Sequence, residues 1–115
     1  MTEVAEKSLD EMVKAIVRQV DPEMIILFGS YARGAASKDS DLDLLVVVDG
    51  EFGPHRSRHE QEVELYRLLA HLRPPQDIIV ASREEVERWR GDLNHIIARA
   101  IREGRLLYEK ARARI

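Results

Sequence analysis

The sequence predicts an α+β domain in which a small mixed β-sheet carries helices packed on one side. Apolar residues repeat at helical spacing over 9–20, 65–72 and 86–101, while two apolar runs at 24–28 and 42–48 have the length of strands. The small, polar segment between those two runs reads as a loop rather than a helix, which argues against a doubly wound parallel sheet.

Leu9, Met12, Val13, Ile16, Val17 and Val20 form the stripe of a first helix, with Asp10, Glu11, Lys14 and Arg18 on its other side. Ser8 and Glu11 have the spacing of a capping box, and Thr2 offers an earlier start. Asp21-Pro22 ends this helix. Met24 to Phe28 is a continuous apolar run closed by Gly29, the pattern of a buried strand. Ser30 to Ser40 is small and polar, a loop with room for one helical turn. From Asp41 the chain reads Asp-Leu-Asp-Leu-Leu-Val-Val-Val-Asp, a second strand that Asp49-Gly50 terminates.

After Gly53-Pro54, Leu65, Leu68, Leu69 and Leu72 mark a second helix, which Pro74-Pro75 breaks. A third strand is expected at about Asp77 to Ala81. Ser82-Arg83-Glu84-Glu85 is a capping box opening a helical stretch through Val86, Trp89, Leu93, Ile96, Ile97, Ala100 and Ile101. An interruption is expected at Gly91 and an end at Gly104. Leu106-Leu107-Tyr108 has the character of a short edge strand, and Glu109 to Arg114 that of a solvated tail.

The 115 residues suit one domain, 1–115, and 44% hydrophobic with 34% charged residues suits an ordinary soluble globule. A net charge of −3 gives no electrostatic grip on duplex nucleic acid. The absence of cysteine removes disulfides, thiolate metal sites and cysteine nucleophiles, and agrees with a cytoplasmic setting. No apolar run approaches the ~20 residues of a membrane helix. The acidic start at Glu3 and Glu6 lacks the pattern of a signal peptide.

Gly29-Ser30 is followed after ten residues by Asp41 and then by Asp43, giving G-S-x10-D-x-D. Residues two apart on a strand share a face, so both carboxylates project together, with Cα atoms roughly 6 to 7 Å apart. Leu42, Leu44, Val46 and Val48 face the other way. Paired carboxylates repel unless a hard divalent cation such as Mg²⁺ lies between them. A Gly-Ser turn with exposed N–H groups and a hydroxyl can hold phosphate oxygens. Together they describe a metal–phosphate clamp, the requirement of phosphoryl or nucleotidyl transfer, in which two metals can hold the attacking and leaving oxygens. Asp77 is the third carboxylate of that set. Arg33 and Lys38, in the intervening loop, are candidates to neutralise a triphosphate. Tyr31 reads better as packing than as a stacking surface.

Leu27-Phe28-Gly29-Ser30-Tyr31-Ala32-Arg33-Gly34, Ser40-Asp41-Leu42-Asp43-Leu44 and Asp77-Ile78-Ile79-Val80 resemble the minimal nucleotidyltransferases of the DNA polymerase beta superfamily over about residues 24–108. The resemblance implies that Gly29 and Ser30 bind the triphosphate of ATP. It also implies that Asp41 and Asp43 hold Mg²⁺, two ions in all, and that Asp77 is the third catalytic acid. Relatives acting on aminoglycosides or nucleic acid ends generally carry a further acceptor-binding domain. The likeness therefore points to members that serve as antitoxins, transferring AMP to a tyrosine of a co-encoded helical HEPN-type toxin. Two alternatives stand beside it: a binding module that neutralises its partner by covering it, and a catalytic subunit modifying a small molecule. Self-association is left open.

The remaining polar residues carry less. His55 and His59 are four apart without a third ligand at convincing spacing. The basic run His55, Arg56, Arg58 and His59 reads as solvated surface before it reads as a contact for an acidic partner or a nucleotide. Arg90 and His95 match an R-x4-H spacing, but that motif belongs to all-helical proteins. His71 reads as surface and Trp89 as core.

Overall fold

The computed structural model describes residues 2–111. Helix α1 (Glu3–Val20) starts at Thr2, whose hydroxyl accepts from the Ala5 N–H at 3.1 Å. Ser8 is therefore no cap. It lies within α1 and donates its hydroxyl to the Arg73 carbonyl at 2.6 Å, tying the helix to a distant loop. Asp21 closes α1 in the left-handed region (φ 47°), which an aspartate tolerates, and Pro22 cannot continue a helix.

The chain continues through β1 (Met24–Phe28), α2 (Gly29–Ala32), β2 (Leu42–Val48), α3 (Arg58–Leu69), β3 (Gln76–Ser82), α4 (Arg83–Trp89), α5 (Ile96–Glu103) and β4 (Arg105–Glu109). The strand order is β3-β2-β1-β4. β1 is antiparallel to β2 and β4, whereas β2 and β3 run parallel, α3 supplying the crossover a parallel pair needs. The mixed sheet expected from the sequence is present.

The layering differs from expectation. Ile25, Leu27, Leu42, Leu44, Val46, Ile78 and Val80 pack with Leu9, Met12 and Ile16 of α1 and with Leu65 and Leu69 of α3. The opposite face, with Ile26, Leu45, Val47 and Ala81, is covered by Val86 of α4 and Ile97 and Ala100 of α5. Helices thus lie on both sides. The reason is visible in β2, where Leu42 and Leu44 to Val48 are all buried: a strand apolar on both faces needs cover on both.

One further expectation holds and one is amended. The stretch after Ser82 is two helices, as the interruption expected at Gly91 implies: residues 90–95 separate them, and His95 caps α5, its Nδ1 accepting from the Ile97 N–H at 3.1 Å. Glu109 belongs to β4 rather than to a tail. Lys110 donates its N–H to the Glu23 carbonyl at 2.9 Å and its Nζ to Asp21 at 2.7 Å. The rest of the expected tail, 112–115, lies outside the described residues.

Candidate active site

Pairing register brings the three aspartates together. Asp43 stands opposite Phe28 across the antiparallel β1–β2 pair and beside Asp77 across the parallel β2–β3 pair. In-register neighbours in adjacent strands present side chains to the same face, and alternation puts that face with Leu45, Val47, Ile79 and Ala81. Asp41 lies exposed just before β2. Its strand is anchored there by the Leu42 N–H donating to the Pro75 carbonyl at 2.9 Å.

Gly29 sits where β1 gives way to α2. Its φ of +73° suits glycine, and a Cβ there would lie 2.1 Å from Asp43 Oδ2. Asp43 therefore rests its carboxylate on a backbone stripped of side chain. The residue before α2 is the apolar Phe28, which makes no side-chain capping hydrogen bond. Beyond it, the Arg33, Gly34 and Ala35 N–H groups return to the carbonyls of Gly29, Tyr31 and Ser30. Ser37 and Ser40 then bond one another, the Ser37 N–H donating to Ser40 Oγ at 2.9 Å, so the loop is fixed immediately before Asp41.

The electrostatics follow from this convergence. Burial pushes the Asp43 carboxyl up, the neighbouring Asp77 and Asp41 carboxylates push it further, and Arg33 offsets part of the effect. Arg33 is thus felt at the acids. Lys38 instead borders a cleft of about 760 Å³ with Tyr31, Arg73 and Pro74, on the side of α1. Tyr31 packs partly buried against the core, as expected. Among the described residues, no three His, Cys, Asp or Glu side chains form a group that could hold a metal ion. The aspartates are hard-oxygen donors, the type Mg²⁺ takes, and Mg²⁺ commonly uses one or two carboxylates with water and phosphate completing its shell.

Sequence reasoning missed Tyr66. Its hydroxyl, on α3, accepts from the Ile78 N–H at 2.8 Å and lies 3.1 Å from Asp77 Oδ1. Burial and Asp77 raise the phenol's pKa while the Ile78 N–H lowers it. Tyr66 falls off the leucine stripe of α3, and only the neighbourhood of α3 and β3 in space exposes the link. Elsewhere, His55, His59 and His71 are exposed, and Arg58 is paired with Glu85. Trp89 is half-buried and stacks on His95 with ring centroids 4.5 Å apart.

Residues 11–113 match the family model described as polymerase beta, nucleotidyltransferase. The chain belongs to the polymerase beta nucleotidyltransferase family. A provisionally named protein adenylyltransferase of Methanocaldococcus jannaschii is 45% identical over 49 residues, 41% of this chain and 49% of the relative. The chain thus spans about half the length of that relative. A provisionally named nucleotidyltransferase of Sulfolobus solfataricus is 24% identical, with a TM-score of 0.56 over 96% of this chain and 91% of its own. A toxin–antitoxin structure containing AMP-PNP is 19% identical with a TM-score of 0.55, covering 90% of this chain and 75% of that one. A mutant MntA–HpeT toxin–antitoxin structure gives 18% and 0.53 over 90% and 74%. At such identities these structures establish the nucleotidyltransferase fold alone.

Proposed function

We propose that this chain is a single nucleotidyltransferase domain, 1–115, that transfers AMP from ATP to a tyrosine hydroxyl of a co-encoded HEPN-type helical toxin, acting as its cytoplasmic antitoxin. The observation that carries this reading is the Asp43–Asp77 register, with Asp41 beside it and Gly29 beneath the Asp43 carboxylate. In this reading Asp41, Asp43 and Asp77 hold Mg²⁺, which when bound neutralises the triphosphate and polarises its phosphorus. Gly29 and Ser30 cradle the phosphate oxygens and Arg33 faces their charge. Lys38, at the cleft on the α1 side of the loop, is the second candidate to neutralise the triphosphate. The adenylyltransferase relative supports AMP as the group transferred, and the toxin–antitoxin structures are compatible with a toxin as partner.

The test is to incubate the protein with Mg·ATP and the helical partner encoded beside it, then weigh the partner. The expected result is a gain of one or more AMP masses that survives removal of this protein, since a phosphodiester outlasts dissociation. Asp41→Asn and Asp77→Asn should abolish the gain. Neutralisation by the Asp77 variant as complete as by wild type, with no mass added in either, would make the chain a covering module instead.

A further inference from the structure

We infer that Tyr66 is a positioning residue that fixes the side chain of Asp77, an inference that rests on the reading of Asp77 as the third acid. A hydroxyl has one proton, and the Ile78 N–H can only donate. With that N–H bonded to the Tyr66 oxygen at 2.8 Å, the phenolic proton is directed to Asp77 Oδ1, 3.1 Å away. The relay runs Ile78 N–H to Tyr66 O–H to Asp77.

Asp77 is exposed, and an exposed aspartate ordinarily samples several staggered rotamers. The phenol selects one of them by engaging Oδ1, which leaves the second oxygen for the site. Core filling does not account for Tyr66, which is 39% exposed; its hydroxyl makes the specific contacts. One turn earlier on α3, Glu62 accepts from the Val80 N–H at 3.0 Å. Glu62 serves the same strand edge without meeting an aspartate, so it separates positioning from edge support.

The experiment uses the full chain in wild-type, Tyr66→Phe, Glu62→Ala and Asp77→Asn forms. Three-bond carbon and nitrogen couplings to the Asp77 carboxyl carbon, measured by NMR without metal, report its χ1 rotamer. A single rotamer is expected in wild type and Glu62→Ala, and an average over rotamers in Tyr66→Phe. Mn²⁺ binding in the presence of ATP, followed by electron paramagnetic resonance, should weaken roughly tenfold in Tyr66→Phe, the scale of losing a group that orients a ligand. Glu62→Ala should retain wild-type affinity. A Tyr66→Phe protein lacking either change, or a Glu62→Ala protein sharing both, overturns the inference. Asp77→Asn that binds Mn²⁺·ATP as tightly as wild type refutes the assignment of Asp77 itself, an outcome distinct from any behaviour of Tyr66.

Discussion

Asp43 illustrates how one residue can serve a site against the interest of the fold. Its carboxyl is pushed above the ordinary value of 3.8 by burial, then by Asp77 and Asp41. Well above the raised folded value the group is ionised in folded and unfolded chains alike, and the folded state bears the full unfavourable interaction. As pH falls through the raised folded value, the native protein takes up the proton first, and below the unfolded value the penalty is gone. Metal-free Asp43→Asn should therefore melt above wild type at pH 7, with the gap closing as the pH is lowered to about 4. Adding Mg·ATP should raise the wild-type melting temperature and leave the variant unmoved. Thermal scans across pH, with and without Mg·ATP, check both expectations. A variant melting below wild type at pH 7 would make Asp43 a structural residue.

At the scale of elements, legibility tracked how local the cause was. β2 was read nearly to the residue because Leu42 to Val48 announces a strand without help from elsewhere. The Ser82–Glu85 capping box was equally plain, since all its partners lie within four residues. Ser8 misled because its acceptor, the Arg73 carbonyl, is 65 residues away. The second helical layer was missed because Leu45 and Val47 alternate with buried neighbours, and a doubly buried strand carries no periodic sign of what covers its second face. Asp41 and Asp43 could be paired by spacing alone, whereas placing Asp77 beside Asp43 required a parallel register that no spacing encodes. The hinge from α5 into β4 has a similarly non-local cause. A Cβ on Gly104 would lie 2.3 Å from the Ala100 carbonyl oxygen and 2.8 Å from that of Leu27, so close packing rather than unusual φ selects glycine. Gly104→Ala should cost about 1–3 kcal/mol in urea unfolding. No measurable loss would mean that the β1–α5 contact yields freely.

Across the whole molecule, β2 lies between its neighbours in the sheet and between two helical layers, and it bears Asp43. Stability and site geometry thus depend on one strand. Leu44→Ala, at a fully buried position, should cost about 2–5 kcal/mol. Leu106→Ala, where the side chain is 52% exposed on β4, should stay within about 0.5 kcal/mol of wild type. Equilibrium unfolding of the two variants measures the contrast, and similar losses would contradict the two-layer core.

The margin of the sheet at β3 has a consequence for exchange with solvent. Ile78, Val80 and Ser82 turn their N–H groups away from β2, where an edge strand ordinarily surrenders its protons to deuterium quickly, yet Tyr66, Glu62 and Glu85 each accept one. Two of those acceptors ride on α3 and the third on α4. The Ile78 and Val80 amides consequently act as gauges of whether α3 is seated, while Ser82 reads α4. Local detachment of α3 would unmask the first pair together and leave the third protected, a signature that distinguishes the lifting of one helix from opening of the entire domain.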